Sequence, residues 1–308
     1  MILALGLALD ALLGEPRWLW RRVWHPVVAI GALIDWAEQQ FNRPPYRRAR
    51  GVLLVAVLVI GGGAAGIAIA AAGWPLEVLC VAVLLAQRAL VEHVRAVAEA
   101  LRLSVPEGRR AVARIVGRDS AAMDASAVAC AAIESAAENI SDGVVAPAFW
   151  FLVAGAPGLL IYKAINTADS MIGHRTARYG RFGWAAARLD DVLNWVPARL
   201  CAGVIALACL SMLPREARER QRMGWAPMVR DARAHRSPNA GWPEAAMAHG
   251  LDIALAGPRS YEGRWHDFPH LNARGRRDLF PADIETACRV LWRSWGLLMA
   301  LALGLALL

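Results

Sequence analysis

The sequence predicts an all-α, polytopic integral membrane helical bundle, with broken or re-entrant helices and amphipathic helices on the cytoplasmic side. Three observations predict it. Apolar residues make up 57% of the 308 residues and mean hydropathy is +0.36, whereas soluble domains hold about 45–50% apolar residues. Several long runs carry no charge. No segment of any length alternates apolar and polar residues as a strand would, and no internal repeat is present. A single helical membrane domain over residues 1–308 is expected.

The elements follow in order. Met1–Leu13 is apolar but short and carries Asp10. It lacks a basic leading segment and runs into Gly14-Glu15-Pro16 rather than a small-residue cleavage site. It therefore reads as a short packed helix, not a secretory signal. Gly51–Ala72 is uncharged and long enough to cross a hydrocarbon core of ~30 Å at ~1.5 Å per residue. Leu76–Ala86 is a second apolar run that continues to Leu90, joined to the first by Gly73-Trp74-Pro75. Leu90–Ile115 shows apolar residues at three-and-four spacing with arginines opposite, the pattern of an amphipathic helix.

Val144–Tyr162 contains Pro147, Gly155, Pro157 and Gly158, and Pro197–Leu213 is short, with Arg199 as its one charge. Arginine-rich segments flank both runs. Either the two cross as a pair and place the Lys163 region outside, or they are incomplete, re-entrant segments. Their proline and glycine content and their shortness favour the second reading. Pro214–Arg236 is arginine-dense and reads as a surface helix and loop. Ser237–Asp283, rich in Pro, Gly, Asn and His, gives little periodic signal. Val290–Leu308, interrupted only by Arg293, is a last apolar helix.

The net charge of +8 does not point to nucleic acid, because the arginines flank apolar runs. Arg43, Arg47, Arg48 and Arg50 precede the first span, and Arg88, Arg95, Arg102 and Arg109 are among those that follow the second. Positive segments are retained inside, so these spans form a hairpin with its turn outside. Cys80, Cys130, Cys201, Cys209 and Cys288 form no C-x-x-C and fall mostly in apolar helices. They support neither a disulfide framework nor a zinc site.

Four polar clusters interrupt this apolar chain. In ESAAENISDG, Glu134, Glu138 and Ser141 or Asp142 stack on one helical face, where repelling carboxylates invite a cation. In IYKAINTADSMIGHR, Lys163, Asn166 and Ser170 share a face, with Thr167 beside them. Of the 34 basic residues, Lys163 is the one lysine, and an ammonium acts as a compact point charge where a guanidinium cannot. In RLDDVLNWVPARL, Asp190 and Asp191 precede Asn194 at the spacing of a weak Mg²⁺ motif. In SPNAGWPEAAMA, a tight turn enters a helix with Pro243 in its first turn, and exposed backbone N–H groups there suit a phosphate. Gly61-Gly62-Gly63 lacks a following lysine and is helix packing, not a phosphate loop. His25 reads as structural.

These four clusters, with LDALLGEPRW and HPVVAIGALI near the N-terminus, resemble in order the adenosylcobinamide-phosphate synthase family of cobalamin biosynthesis, the CobD/CbiB proteins. The resemblance covers most of the chain. Arg259 to Asp283 matches poorly, and His249 stands where a small residue is expected. The resemblance implies a multi-pass protein of the cytoplasmic membrane, with its active site facing the cytoplasm. The implied activity is ATP-dependent joining of (R)-1-aminopropan-2-ol, free or O-phosphorylated, to the free propionate of adenosylcobyric acid. Mg²⁺ and ATP are the implied cofactor and co-substrate. Membrane lipid is an implied partner, and other late membrane enzymes of the pathway are candidate partners.

On that reading Lys163, Glu138 and Asp142 are the catalytic candidates, and Glu134, Glu138, Asp190 and Asp191 the metal ligands. Asn139, Asn166, Ser170, Arg188, Asn194, Ser237 and Asn239 would hold substrate or phosphate. Glu134, Glu138, Asp142, Lys163, Asn166, Asp190 and Asp191 are expected to converge on one polar cleft. Two other classes share some of these features. A transporter places acids and amides among broken helices but usually shows paired repeats. A membrane Mg²⁺-dependent prenyl- or phosphotransferase would want a second aspartate-rich motif.

A topological prediction follows from the basic segments. Ile140, Thr176 and Arg220 lie on the cytoplasmic side, and the uncharged C-terminus lies outside or flush with the outer face. A single cysteine introduced at Thr176 should resist a membrane-impermeant thiol reagent in intact cells. Labelling from outside would put that loop across the membrane.

Overall fold

The computed structural model describes residues 1–213, 225–261 and 263–307. Part of the arginine-dense segment, including Arg220, lies outside the described residues. Among the described residues, five helical stretches are long and apolar enough to cross a membrane: Arg47–Ala71, Trp74–Leu103, Ala125–Ile172, Trp195–Met212 and Pro281–Ala306. The chain is thus an all-α membrane bundle. Two compact units divide it, one comprising residues 1–86, 142–197 and 302–308, the other residues 87–141 and 198–301.

In the first unit, helix α1 (Ile2–Leu13) buries Leu3, Ala4, Leu7 and Asp10 and packs on α5 (Trp74–Leu84). The short α2 (Arg17–Trp20) leads to α3 (Pro26–Phe41). His25 caps α3: its Nδ1 accepts from the Val27 N–H at 3.2 Å, and its Nε2 lies 3.2 Å from the Val83 carbonyl. That pairing leaves Nε2 as the protonated nitrogen of a neutral ring, a structural role as the sequence suggested. Burial also lowers the His25 pKa. Helix α4 (Arg47–Ala71) lies along α9 (Ala146–Ile172), and Ile34, Leu54, Leu58, Ile165, Ile172 and Phe182 form the core between them and their neighbours. Helix α10 (Trp184–Leu193) packs on both.

Among the described residues, the apolar helices are interrupted at three places. Helix α5 stops at Leu85, which is extended, and the Ala86 N–H donates to the Gly143 carbonyl at 3.1 Å. Gly143 belongs to a π-helical turn, Ser141–Val145, immediately before α9. Within α9 itself, Ala154 and Gly155 leave helical geometry, Gly155 with φ of 62°, and Pro157 follows. The expected break in Val144–Tyr162 is present there. Glycine tolerates the left-handed φ, and proline removes the N–H that would continue the ladder.

The second unit begins with α6 (Gln87–Leu103), whose Val91, Val94, Val97, Ala98 and Leu101 are buried. The amphipathic segment read as one helix is two. Ser104 is extended, its hydroxyl accepts from the Glu107 N–H at 3.3 Å, and α7 (Val105–Val112) starts with Pro106 in its first turn. Helix α8 (Ala125–Ile140) is capped by Asp124, whose carboxylate accepts from the Ala127 N–H at 2.8 Å. Its alanine-rich surface packs on α6, α7 and α13 (Gly241–Gly250). Helices α11 (Trp195–Met212) and α12 (Trp225–Ala234) precede α13, and α14 (Pro281–Ala306) follows.

Between α13 and α14, the segment without helical periodicity forms two short antiparallel pairs. Strand β1 (Leu255–Ala256) pairs with β4 (His270–Leu271), and β2 (Arg259–Tyr261) pairs with β3 (Arg264–His266). Asp283 accepts from the Phe280 N–H at 2.8 Å and takes Arg276 on its carboxylate, closing the start of α14. All five cysteines are free.

Gly66 sits on α4 where the α9 break approaches. A Cβ there would overlap Pro157 and lie 2.7 Å from the Ala156 carbonyl carbon, both backbone and unable to yield. Gly66→Ala should therefore destabilise the detergent-solubilised protein by about 1–3 kcal/mol, the range for overpacking. Gly61→Ala, which meets nothing within 4 Å, should be neutral. Equal melting temperatures for the two variants would contradict this packing.

Candidate functional site

In the first unit the predicted polar residues gather around Asn166. Its Nδ2 donates to Asp142 Oδ2 at 3.1 Å and lies 3.3 Å from Asp190 Oδ1. Asn194 caps the end of α10 and donates to Asp190 Oδ2 at 3.0 Å. The Tyr162 hydroxyl, 3.0 Å from Asn194 Oδ1, fixes that amide in turn. The π turn carries Asp142, α9 carries Tyr162 and Asn166, and α10 carries Asp190. π turns inside helices often mark functional positions, because they re-aim side chains that an α-helix would point elsewhere.

Lys163 follows Tyr162 on α9. Its ammonium makes no hydrogen bond or ion pair among the described residues, and the carboxylates whose charge reaches it are Asp142 and Glu15. The two hydroxyls beside it are taken up by the helix itself. Thr167 Oγ1 donates to the Lys163 carbonyl at 2.7 Å, and Ser170 Oγ to the Asn166 carbonyl at 2.9 Å. Arg188 lies 3.8 Å from Asp191, and both are partly exposed. Burial raises the Asp191 pKa against the pull of Arg188 and Arg175. Burial first, then the charge of Asp169, pushes Asp190 up to about 7, and its bonds from Asn194 and Asn166 offset only part of this.

Glu134 and Glu138 belong to the second unit. Glu134 is buried and fully engaged. Arg118 lies 2.8 Å and Arg259 2.9 Å from its Oε2, while the Ala256 N–H donates to Oε1 at 2.5 Å. Glu138 is exposed, and Asn139 donates back to the Ser135 carbonyl at 2.8 Å. Glu244 is buried. Burial, with Glu134 and Glu138 adding to it, holds the Glu244 carboxyl well above the usual range. Among the described residues no group of three or more His, Cys, Asp or Glu stands close enough to hold a metal ion.

The Ser-Pro-Asn turn differs from expectation. Ser237 Oγ accepts from the N–H groups of Asn239, at 3.3 Å, and Ala240, at 3.1 Å. The amides expected to face a phosphate are used inside the turn. Asn239 is buried, with its Oδ1 3.4 Å from Arg199, and Arg199 also lies 4.6 Å from the Trp242 ring centre.

Sequence reasoning missed Arg118, Arg259, Tyr162, Glu15 and Glu244. Glu244 carried a signal, an acid inside an apolar helix. Arg118 and Arg259 carried none, since they stand among many arginines and meet Glu134 only through the fold. Arg259 lies in the stretch judged to match the family poorly.

The comparisons with known proteins agree with the motifs. Residues 3–291 match the CobD/Cbib protein family. The chain is 48% identical to "Cobalamin biosynthesis protein CobD" of Brucella suis biovar 1 (strain 1330), over 100% of this chain and 97% of the relative. It is 48% identical to the protein of that name from Rhizobium meliloti (strain 1021), over 95% and 92%. Against that of Rhodobacter capsulatus it is 48% identical, over 99% and 96%. No solved structure matches the chain.

The raised Asp190 pKa has a consequence for stability. Between about pH 4 and about 7 the folded protein keeps a proton on Asp190 that the unfolded chain releases. This contribution to stability is therefore present at low pH and lost as pH rises through that window, by on the order of a few kcal/mol. In Asp190→Asn it is absent. Melting temperatures of wild type should fall relative to Asp190→Asn across the window, and parallel profiles would refute the assignment.

Proposed function

The chain belongs to the CobD/CbiB family, and from that premise we propose that it catalyses ATP-dependent amide-bond formation in cobalamin biosynthesis. A role in cobalamin biosynthesis is the established part of this reading. The finer part is that the free propionate of adenosylcobyric acid is joined to (R)-1-aminopropan-2-ol or its O-phosphate.

A carboxylate is a poor electrophile, so one of its oxygens first attacks the γ-phosphorus of ATP. ADP leaves and an acyl phosphate forms. The amine nitrogen, after losing its ammonium proton, then attacks the acyl carbon. The C–N bond forms, the C–O bond breaks, and inorganic phosphate departs. Phosphoryl transfer of this kind depends mainly on positioning and on cations that meet the developing charge.

The observation that carries this reading is the Lys163 ammonium, which feels the charges of Asp142 and Glu15 but makes no hydrogen bond or ion pair among the described residues. A cation in an apolar helix is costly, and a phosphoryl group would supply the hydrogen-bonded partner that Lys163 lacks among the described residues. Asn166 and Asn194 hold the carboxylates in place, and Tyr162 holds Asn194.

Asp142 and Asp190 supply hard oxygen donors around one amide, and Mg²⁺ commonly uses one or two carboxylates, with water and phosphate completing its shell. They are the residues that would hold it, and the ion would neutralise charge on the ATP phosphates. Glu134, occupied by two arginines and a backbone N–H, fits an ion-pair network better than a Mg²⁺ site. Because ATP is cytoplasmic, the site faces the cytoplasm and the protein resides in the cytoplasmic membrane.

The test is ATP hydrolysis by purified protein with each substrate omitted in turn. Phosphate release should require both cobyric acid and the amine, which neither a transporter nor a prenyltransferase would show. Lys163→Arg should lower synthesis by roughly 10²-fold or more, the scale for losing one transition-state donor, with insertion and melting temperature unchanged. Wild-type turnover by a folded Lys163→Arg protein would remove the lysine from the reaction.

A further inference from the structure

The second unit contains a cavity of about 100 Å³ whose wall includes His235, Arg236, Arg259 and Phe268. None of these residues has a part in the reaction assigned above. The Arg236 guanidinium lies 5.4 Å and that of Arg259 5.8 Å from the centre of the Phe268 ring. The His266 ring stacks on Phe268 at 5.6 Å and an interplanar angle of 11°. Two guanidiniums thus approach one aromatic platform on one cavity wall.

Arg259 is held there by the fold. Its Nη1 donates to Glu134 Oε2 at 2.9 Å and its Nε to the Gly257 carbonyl at 3.3 Å. Glu134 is shared with Arg118, so a single carboxylate serves two guanidiniums. His235 is positioned by the Ser237 N–H, 3.2 Å from Nδ1. Its Nε2 lies 3.7 Å from Glu244 Oε2, a buried oxygen with no hydrogen-bond partner among the described residues. The Glu244 side chain is only 6% exposed. A buried polar atom of this kind normally has a partner.

We infer that this cavity binds a phosphoryl group, held by the guanidiniums of Arg236 and Arg259 with His235 beside them. The chemistry selects the ligand class. Arginine presents donors in a planar fork that matches phosphate oxygens. The volume is enough for a phosphoryl group. Inorganic phosphate, the terminal group of a phosphate monoester or nucleotide, and a lipid headgroup all offer this group. The sequence motif that begins at Ser237 was expected to hold phosphate through its amides. The structure uses those amides internally and presents the two residues just before them instead.

Calorimetric titration of the full-length protein in phosphatidylcholine nanodiscs, with inorganic phosphate and separately with ATP, tests the inference. Wild type should bind at least one of them. Arg236→Gln should weaken that binding about tenfold or more, equivalent to ~1.4 kcal/mol. Arg230→Gln, a neighbour whose side chain is 79% exposed, should bind as wild type does. The same titration in discs containing phosphatidylglycerol separates the sources. Loss of the Arg236-dependent signal there identifies a lipid headgroup as the occupant, and its persistence identifies a soluble phosphate. Lys163→Arg should retain the Arg236-dependent binding, so failure of the proposed reaction and failure of this site are distinguishable. The inference is overturned if neither phosphate nor ATP binds in either disc, or if Arg236→Gln binds as wild type does.

Discussion

Asn166 places one amide nitrogen between two carboxylates, 3.1 Å from Asp142 and 3.3 Å from Asp190. That nitrogen carries two protons, one for each acceptor. The three residues come from the π turn, α9 and α10, so the amide joins three pieces of backbone as well as two charges. Like-charged groups repel when buried together, and a bridging donor offsets part of that repulsion. A buried acceptor left unmatched costs about 1–3 kcal/mol. The position of α10 on α9 and the aim of Asp142 both depend on this contact, and Tyr162 and Asn194 extend it.

The second unit solves the same problem with guanidiniums. Glu134 lies in an alanine-rich helix, where an unmatched carboxylate is untenable. Arg118 reaches it from the segment before α8, and Arg259 from the first residue of β2. The short strands thereby acquire a purpose. They carry an arginine to a buried acid, and the Ala256 N–H beside them adds a further bond. A buried ion pair of this sort adds little net stability over apolar packing, but removing one partner is strongly destabilising.

Irregular backbone is the other shared device. Helix α5 ends at Leu85, a π turn precedes α9, and α9 breaks at Ala154 and Gly155. Each irregularity frees backbone groups that an apolar environment cannot satisfy. The first two answer one another through the Ala86 N–H and the Gly143 carbonyl. The third is packed against Gly66, where the missing side chain lets two backbones approach. Polar chemistry in the first unit is built beside these irregularities because a continuous apolar helix presents no free polar group.

Much of this was legible in the residues. The uncharged run Gly51–Ala72 predicted the long apolar helix α4, because its length and composition are set locally by the thickness of hydrocarbon to be crossed, whereas the runs read as incomplete lie in helices, Ala125–Ile172 and Trp195–Met212, that are long and apolar enough to cross. Pro157 and Gly155 predicted a break in α9, since both act through their own backbone. The motifs placed Asp142, Lys163, Asn166, Asp190 and Asn194 among the candidates, since polar residues in apolar surroundings stand out. Tertiary structure alone decided which of these meet. It set Asn166 between Asp142 and Asp190, and gave Glu134 arginines that lie 16 and 125 residues away. It also committed the amides of the Ser-Pro-Asn turn to Ser237. Sequence reports what a residue costs in its local setting, whereas a charge–charge or hydrogen-bonded partner is chosen by distance in space. Among 33 arginines, nothing but the folded chain distinguishes the two that reach a buried acid.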